Sequence, residues 1–154
     1  MPQLAKGGKH TFGWSIVSEQ GDIAIPPDAY AEYGFVGGET AIVISGSRKS
    51  GGFALSRLET FTSSSLSVVL IEHGELADHR IPEGETVKIG PRFFCWVTIR
   101  DDRFSLPLGT LEKYGIEKGS ALLTVRGSNI GLTFIVKGPI IEEAKKHHEL
   151  ETFL

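Results

Sequence analysis

The stretch Gly21–Ser47, GDIAIPPDAYAEYGFVGGETAIVISGS, decides the fold, because the chain contains it twice. It reads as a short alternating strand, a proline pair and about two turns of helix ended at Gly34, then a Gly-Gly turn and an apolar strand. The same plan returns at Asp102–Ser128, DRFSLPLGTLEKYGIEKGSALLTVRGS, displaced by 81 positions without a gap. Pro26 falls on Pro107, Tyr33 on Tyr114, Gly34 on Gly115, Gly38 on Gly119 and Gly46 on Gly127. Beyond the segment, Phe53 falls on Phe134. Internal repetition of this kind outranks every local signal.

The identities sit where backbone geometry is demanding. Gly34 and Gly115 are placed to end a helix in the left-handed conformation. Pro27 suits a first helical turn and Asp28 suits the positive end of the helix dipole. A helix of about two turns is unstable alone, so each copy needs a partner, and the other copy is the nearest candidate.

Outward from the repeated unit, Lys6–Trp14 (KGGKHTFGW) matches Lys88–Trp96 (KIGPRFFCW) at an offset of 82, and both read as a strand leading in. Ser47–Ser50 reads as a polar turn, and Phe53–Ser56 as a strand matched by Phe134–Lys137. The expected domain is single, residues 1–154. Repeat one covers about 6–57, a connecting insertion 58–87, repeat two about 88–137 and a C-terminal helix 138–154. The insertion finds no counterpart in either repeat, and within it Leu66–Ile71 (LSVVLI) reads as a buried strand.

A chain of 154 residues fits one domain. No apolar run approaches the roughly 20 residues that span a bilayer. The start MPQLAKGGKH lacks the apolar core of a signal peptide, and the lone Cys95 in FFCWV reads as core, so a cytoplasmic location is expected. Charge is uneven. Residues 58–87 carry one basic and six acidic side chains, whereas residues 88–137 carry eight basic and four acidic.

The pattern Gly–x–Ile–x–Ile–Pro, a short helix ending in Gly and then an apolar strand resembles the AbrB/SpoVT/MazE family, over Gly21–Ile44 and more loosely over Arg103–Val125. Two copies in one chain are similar to the tandem arrangement of MraZ proteins. The resemblance implies a mostly β fold, a pseudo-twofold swapped-hairpin β-barrel with short helices. It also implies a DNA-binding transcriptional regulator that associates as a homodimer or larger. DNA-binding members of the family carry basic residues after the first Gly and on the outer helix face. Here those positions hold Asp22, Tyr30 and Ala31 in repeat one, and Arg103, Leu111 and Glu112 in repeat two.

The candidate nucleic-acid contacts are Arg48 and Lys49 in one turn, and Arg100 with Arg103 at the mouth of repeat two. Arginines so placed could hold phosphates, or read guanine for about 1–3 kcal/mol. The competing reading is a solvated turn whose Arg100, Asp101, Asp102 and Arg103 neutralise one another, each pair worth about 0–1 kcal/mol. A barrel that binds a protein partner or small ligand instead of DNA is the rival function. Glu72, His73, Glu75, Asp78 and His79 form a donor-rich cluster, but their spacing matches no metal motif. No nucleophile elbow, dinucleotide fingerprint or P-loop is present, so neither an enzyme nor a cofactor is expected.

Overall fold

A computed structural model describes residues 11–47, 49–127 and 131–154. Repeat one contributes β1 (Thr11–Ile16), β2 (Asp22–Ala24), α1 (Pro27–Tyr33), β3 (Thr40–Ser45) and β4 (Phe53–Arg57). Two short helices follow, α2 (Leu58–Thr62) and α3 (Ser67–Glu72), and then β5 (Val87–Ile89). Repeat two contributes β6 (Arg92–Thr98), β7 (Arg103–Ser105), α4 (Leu108–Lys113), β8 (Ala121–Arg126) and β9 (Leu132–Ile135). The chain closes with α5 (Pro139–Ala144) and β10 (Thr152–Phe153). The protein is therefore mostly β with short helices. Among the described residues no helix is long and apolar enough to cross a membrane.

The local signals act as their chemistry requires. Pro27 opens α1, Asp28 lies in its first turn, and Gly34 ends it at φ 71°. Gly115 follows α4 at φ 76°. The run Ala41–Ile44 is apolar without a break because β3 is covered on both faces.

Strand pairing mixes the two repeats. The main sheet has the order β10–β1–β8–β9–β4–β3–β6–β5, and β2 pairs with β7 in a separate antiparallel ladder. The first strand of each repeat therefore lies beside the third β-strand of the other. Trp14 sits opposite Leu123, and the corresponding Trp96 sits opposite Ile42. Two pairs map onto themselves under the 81-residue displacement: Phe53 opposite Phe134 and Ile23 opposite Phe104.

One face of the sheet, the β2–β7 ladder, α1 and α4 enclose a single core that draws on both repeats. Phe53 and Phe134 stack there with ring centroids 4.9 Å apart, and Phe104 meets them edge-on at 5.8 and 5.7 Å. Two smaller clusters cover the opposite face. Trp14, Leu123, Val125 and Ile135 lie under α5 and Leu150. Ile42, Ile44, Phe94 and Trp96 lie under Phe61, Leu70 and Leu76.

Several expectations are corrected. The sheet is not a closed barrel: β1 and β6, which end the six-stranded centre, take β10 and β5 as outer partners. The resulting edges are only two and three residues long, which limits edge-to-edge pairing. At the start of the segment 58–87, α2 begins 81 positions before α5, which lies beyond repeat two, and each helps cover one half of the outer face. Leu66–Ile71 is mainly helix. Leu66, Val69 and Leu70 pack inward while Val68 and Ile71 stay exposed, a helical spacing that a β-branched run disguises. Lys88–Trp96 is a hairpin turned at Gly90 (φ 59°), not one strand. The C-terminal helix stops at Ala144, and Thr152–Phe153 joins β1 as a parallel strand.

Candidate functional site

The candidate basic residues do not form one surface. Arg48 lies outside the described residues. Lys49 is exposed in the turn after β3, whereas Thr98 pairs with Thr40 at the start of β3, so Arg100 and Arg103 lie at its other end. A six-residue strand separates the two ends by roughly 20 Å.

Arg100 and Arg103 do meet. Each donates its backbone N–H to the other's carbonyl, at 2.8 and 3.1 Å, closing a turn that holds Asp101 at φ 58°. Their guanidiniums are occupied. Arg100 Nη2 is 3.0 Å from Glu83 Oε1, and Arg103 Nε is 3.3 Å from Asp102 Oδ1. Arg103 also donates to the main-chain oxygen of Leu154 at 3.3 Å. Glu83 and Asp102 thus give each of the two cations a carboxylate partner. The expected pairing within 100–103 holds for Arg103, while Arg100 turns to the acidic connecting segment.

The positions where the resemblance calls for helix cations are used otherwise. Tyr30 packs against the core beside Phe35, and Leu111 is buried. Ala31 and Glu112 are exposed and bring no positive charge. Asp22 accepts a hydrogen bond from the Ser105 hydroxyl across the β2–β7 ladder.

The donor-rich cluster disperses. His73 pairs with Glu75 at 3.2 Å and Asp78 with Arg80 at 3.4 Å. His79 stacks flat on Trp96, centroids 3.7 Å apart, with Nε2 3.0 Å from the Thr40 hydroxyl. No group of three metal donors occurs among the described residues. Cys95 offers no nucleophile: burial pushes its thiol up to about 12, with Sγ 3.5 Å from the Tyr114 hydroxyl. Burial likewise raises Tyr114 above the usual phenol range.

Sequence reasoning missed a different basic site. Beside the β3–β4 turn, Lys88, Lys113 and Lys137 line a cavity of about 690 Å³ with Phe93 and Pro91. The Nζ atoms of Lys88 and Lys113 lie 5.9 and 5.4 Å from the Phe93 ring centroid. None of the described residues lining the cavity is acidic. The excess of basic residues over 88–137 was the available signal, but it does not say which of them converge.

Comparison with protein-family models, curated proteins and solved structures returned no match.

Proposed function

We infer that the chain is a two-repeat protein of the swapped-hairpin kind, resembling AbrB/SpoVT/MazE, that acts as a binding module for a partner or small ligand rather than for DNA. The fold part of this reading draws on the exchanged strand partners and the self-mapping pairs Phe53–Phe134 and Ile23–Phe104, which a pseudo-twofold arrangement requires. The functional part draws on one observation. Arg100 and Arg103 are each paired with a carboxylate, and Lys49 stands at the far end of β3. A duplex carries one negative charge per about 1.7 Å, and cations already neutralised by carboxylates offer its phosphates little attraction.

The DNA-binding regulator is the second reading, favoured by the basic excess of residues 88–137 and by the resemblance. Fluorescence anisotropy of a labelled duplex between about 50 and 200 mM salt separates the two, because log affinity falls by roughly 0.9 per log unit of salt for each phosphate contact. The binding-module reading expects weak binding that Arg100→Ala and Arg103→Ala leave unchanged. A steep salt slope flattened by those substitutions would establish DNA and overturn it.

Association as a homodimer or larger belongs to the same proposal. Its support is α3, where Ile71 is 80% and Val68 49% exposed although both are apolar. Light scattering should give a mass at or above twice 16.7 kDa, and the monomer mass at working concentration would rule association out.

A further inference from the structure

We propose that the cavity at Lys88, Lys113, Lys137 and Phe93 binds a small polyanion carrying two or more linked phosphate groups. The inference rests on the binding-module reading and names its ligand class.

The first support is charge without compensation. The three lysines come from β5, the last turn of α4 and the segment after β9, and are far apart in sequence. They meet at one opening. Among the described residues none of the three has a carboxylate within ion-pair distance. This contrasts with Arg57, Arg100, Arg103 and Arg126, each of which has one. Lys113 instead donates to the Thr86 hydroxyl at 3.0 Å, which fixes its ammonium without neutralising it. Gathering three like charges costs free energy unless an anion completes the set.

The second support is the asymmetry between repeats. Under the 81-residue displacement Lys113 corresponds to Glu32, and Ser45 on the cavity wall corresponds to Arg126. At the site where α1 of repeat one meets β8 of repeat two, Arg126 donates to both oxygens of Glu32 at 2.6 and 2.5 Å, so that site is internally closed. At the pseudo-equivalent site, where α4 of repeat two meets β3 of repeat one, the same two positions carry the Lys113 ammonium and the Ser45 hydroxyl. The charges that would close the cavity are absent from one site only.

The third support is size and chemistry. About 690 Å³ lies within the usual range for small-ligand sites. The Lys88 and Lys113 ammoniums can be no further apart than the sum of their distances to the Phe93 centroid, 5.9 and 5.4 Å. Three ammoniums lining one cavity carry more positive charge than one phosphate, at about −1.5 to −2, can balance, so the set suits linked phosphates better than a single one. The loop amides contribute nothing: Gly46, Gly51 and Gly52 donate to Gly52, Ser47 and Tyr114 carbonyls. Recognition falls to the lysines, which hold phosphate as point charges.

The test is calorimetric titration of the full chain with pyrophosphate, inorganic phosphate and a short duplex, at fixed salt. The proposal expects saturable 1:1 binding of pyrophosphate, tighter than of phosphate. Lys113→Glu, which installs the repeat-one residue, should weaken it by roughly tenfold or more. Lys88→Ala should weaken it less, while the remote Arg100→Ala should leave it unchanged. All variants should keep the wild-type melting temperature without ligand. Absence of saturable pyrophosphate binding would overturn the proposal, as would binding indifferent to Lys113→Glu. Duplex binding abolished by Lys113→Glu, with pyrophosphate no better than phosphate, would assign the site to a nucleic-acid backbone instead. Failure of the binding-module reading is distinct, since it appears as duplex binding lost on changing Arg100 and Arg103.

Discussion

Replacing Phe134 with alanine is expected to destabilise the protein by about 3–5 kcal/mol. The ring is fully buried and meets Phe53 at 4.9 Å and Phe104 at 5.7 Å, so both repeats lose contacts at once. For a domain of this length the loss corresponds to a fall in melting temperature of roughly 6–20 °C. Urea unfolding measures it directly. Phe53→Ala should cost a similar amount, and the double substitution should cost less than the two single losses together, because the rings share one contact. A loss below about 1 kcal/mol for either single change would mean that the two repeats do not share a core here.

Gly52→Ala should be nearly as damaging, for a reason of backbone rather than packing. Gly52 sits at φ 70°, and an added Cβ would lie 2.0 Å from the Phe134 carbonyl oxygen. Its own N–H is committed to the Tyr114 carbonyl at 2.9 Å, so the loop cannot swing away freely. The left-handed conformation costs a non-glycine residue about 1–2 kcal/mol, and the forced contact about 1–3 more. Gly115 separates the two contributions: at φ 76° it has nothing within 4 Å of an added Cβ. Gly115→Ala should therefore show only the conformational part. Equal losses at the two positions, measured by urea unfolding, would contradict the close approach at Gly52.

The repeat was legible because its signature residues answer to geometry. Proline before a helix and glycine at positive φ tolerate few replacements, so Pro26, Gly34 and Gly38 recur 81 positions on. The covering segments answer only to burial. Leu58–Thr62 and Pro139–Ala144 share a place and an apolar face but almost no residues, so their equivalence was invisible. The helix α3 was hidden for a related reason, since Val68 and Val69 favour strands in isolation and tertiary packing overrides them. Arg100 and Arg103 were correctly placed together by proximity along the chain. The neutralisation of Arg100 by Glu83 depends on a fold-back that no local pattern encodes, whereas that of Arg103 by the adjacent Asp102 is local. The lysine cavity depends still more on tertiary placement, because each of its cations arrives from a different element.

The central structural claim is that neither repeat owns a complete sheet, because β1 needs β8 and β6 needs β3. It is tested most directly by producing residues 1–85 and 86–154 as separate chains and recording sedimentation and amide spectra of each, alone and mixed. The account predicts that neither half is a folded monomer, and that equimolar mixing yields a 1:1 complex with the spectrum of the intact protein. A half that sediments as a monomer with a dispersed, cooperatively melting spectrum would contradict it.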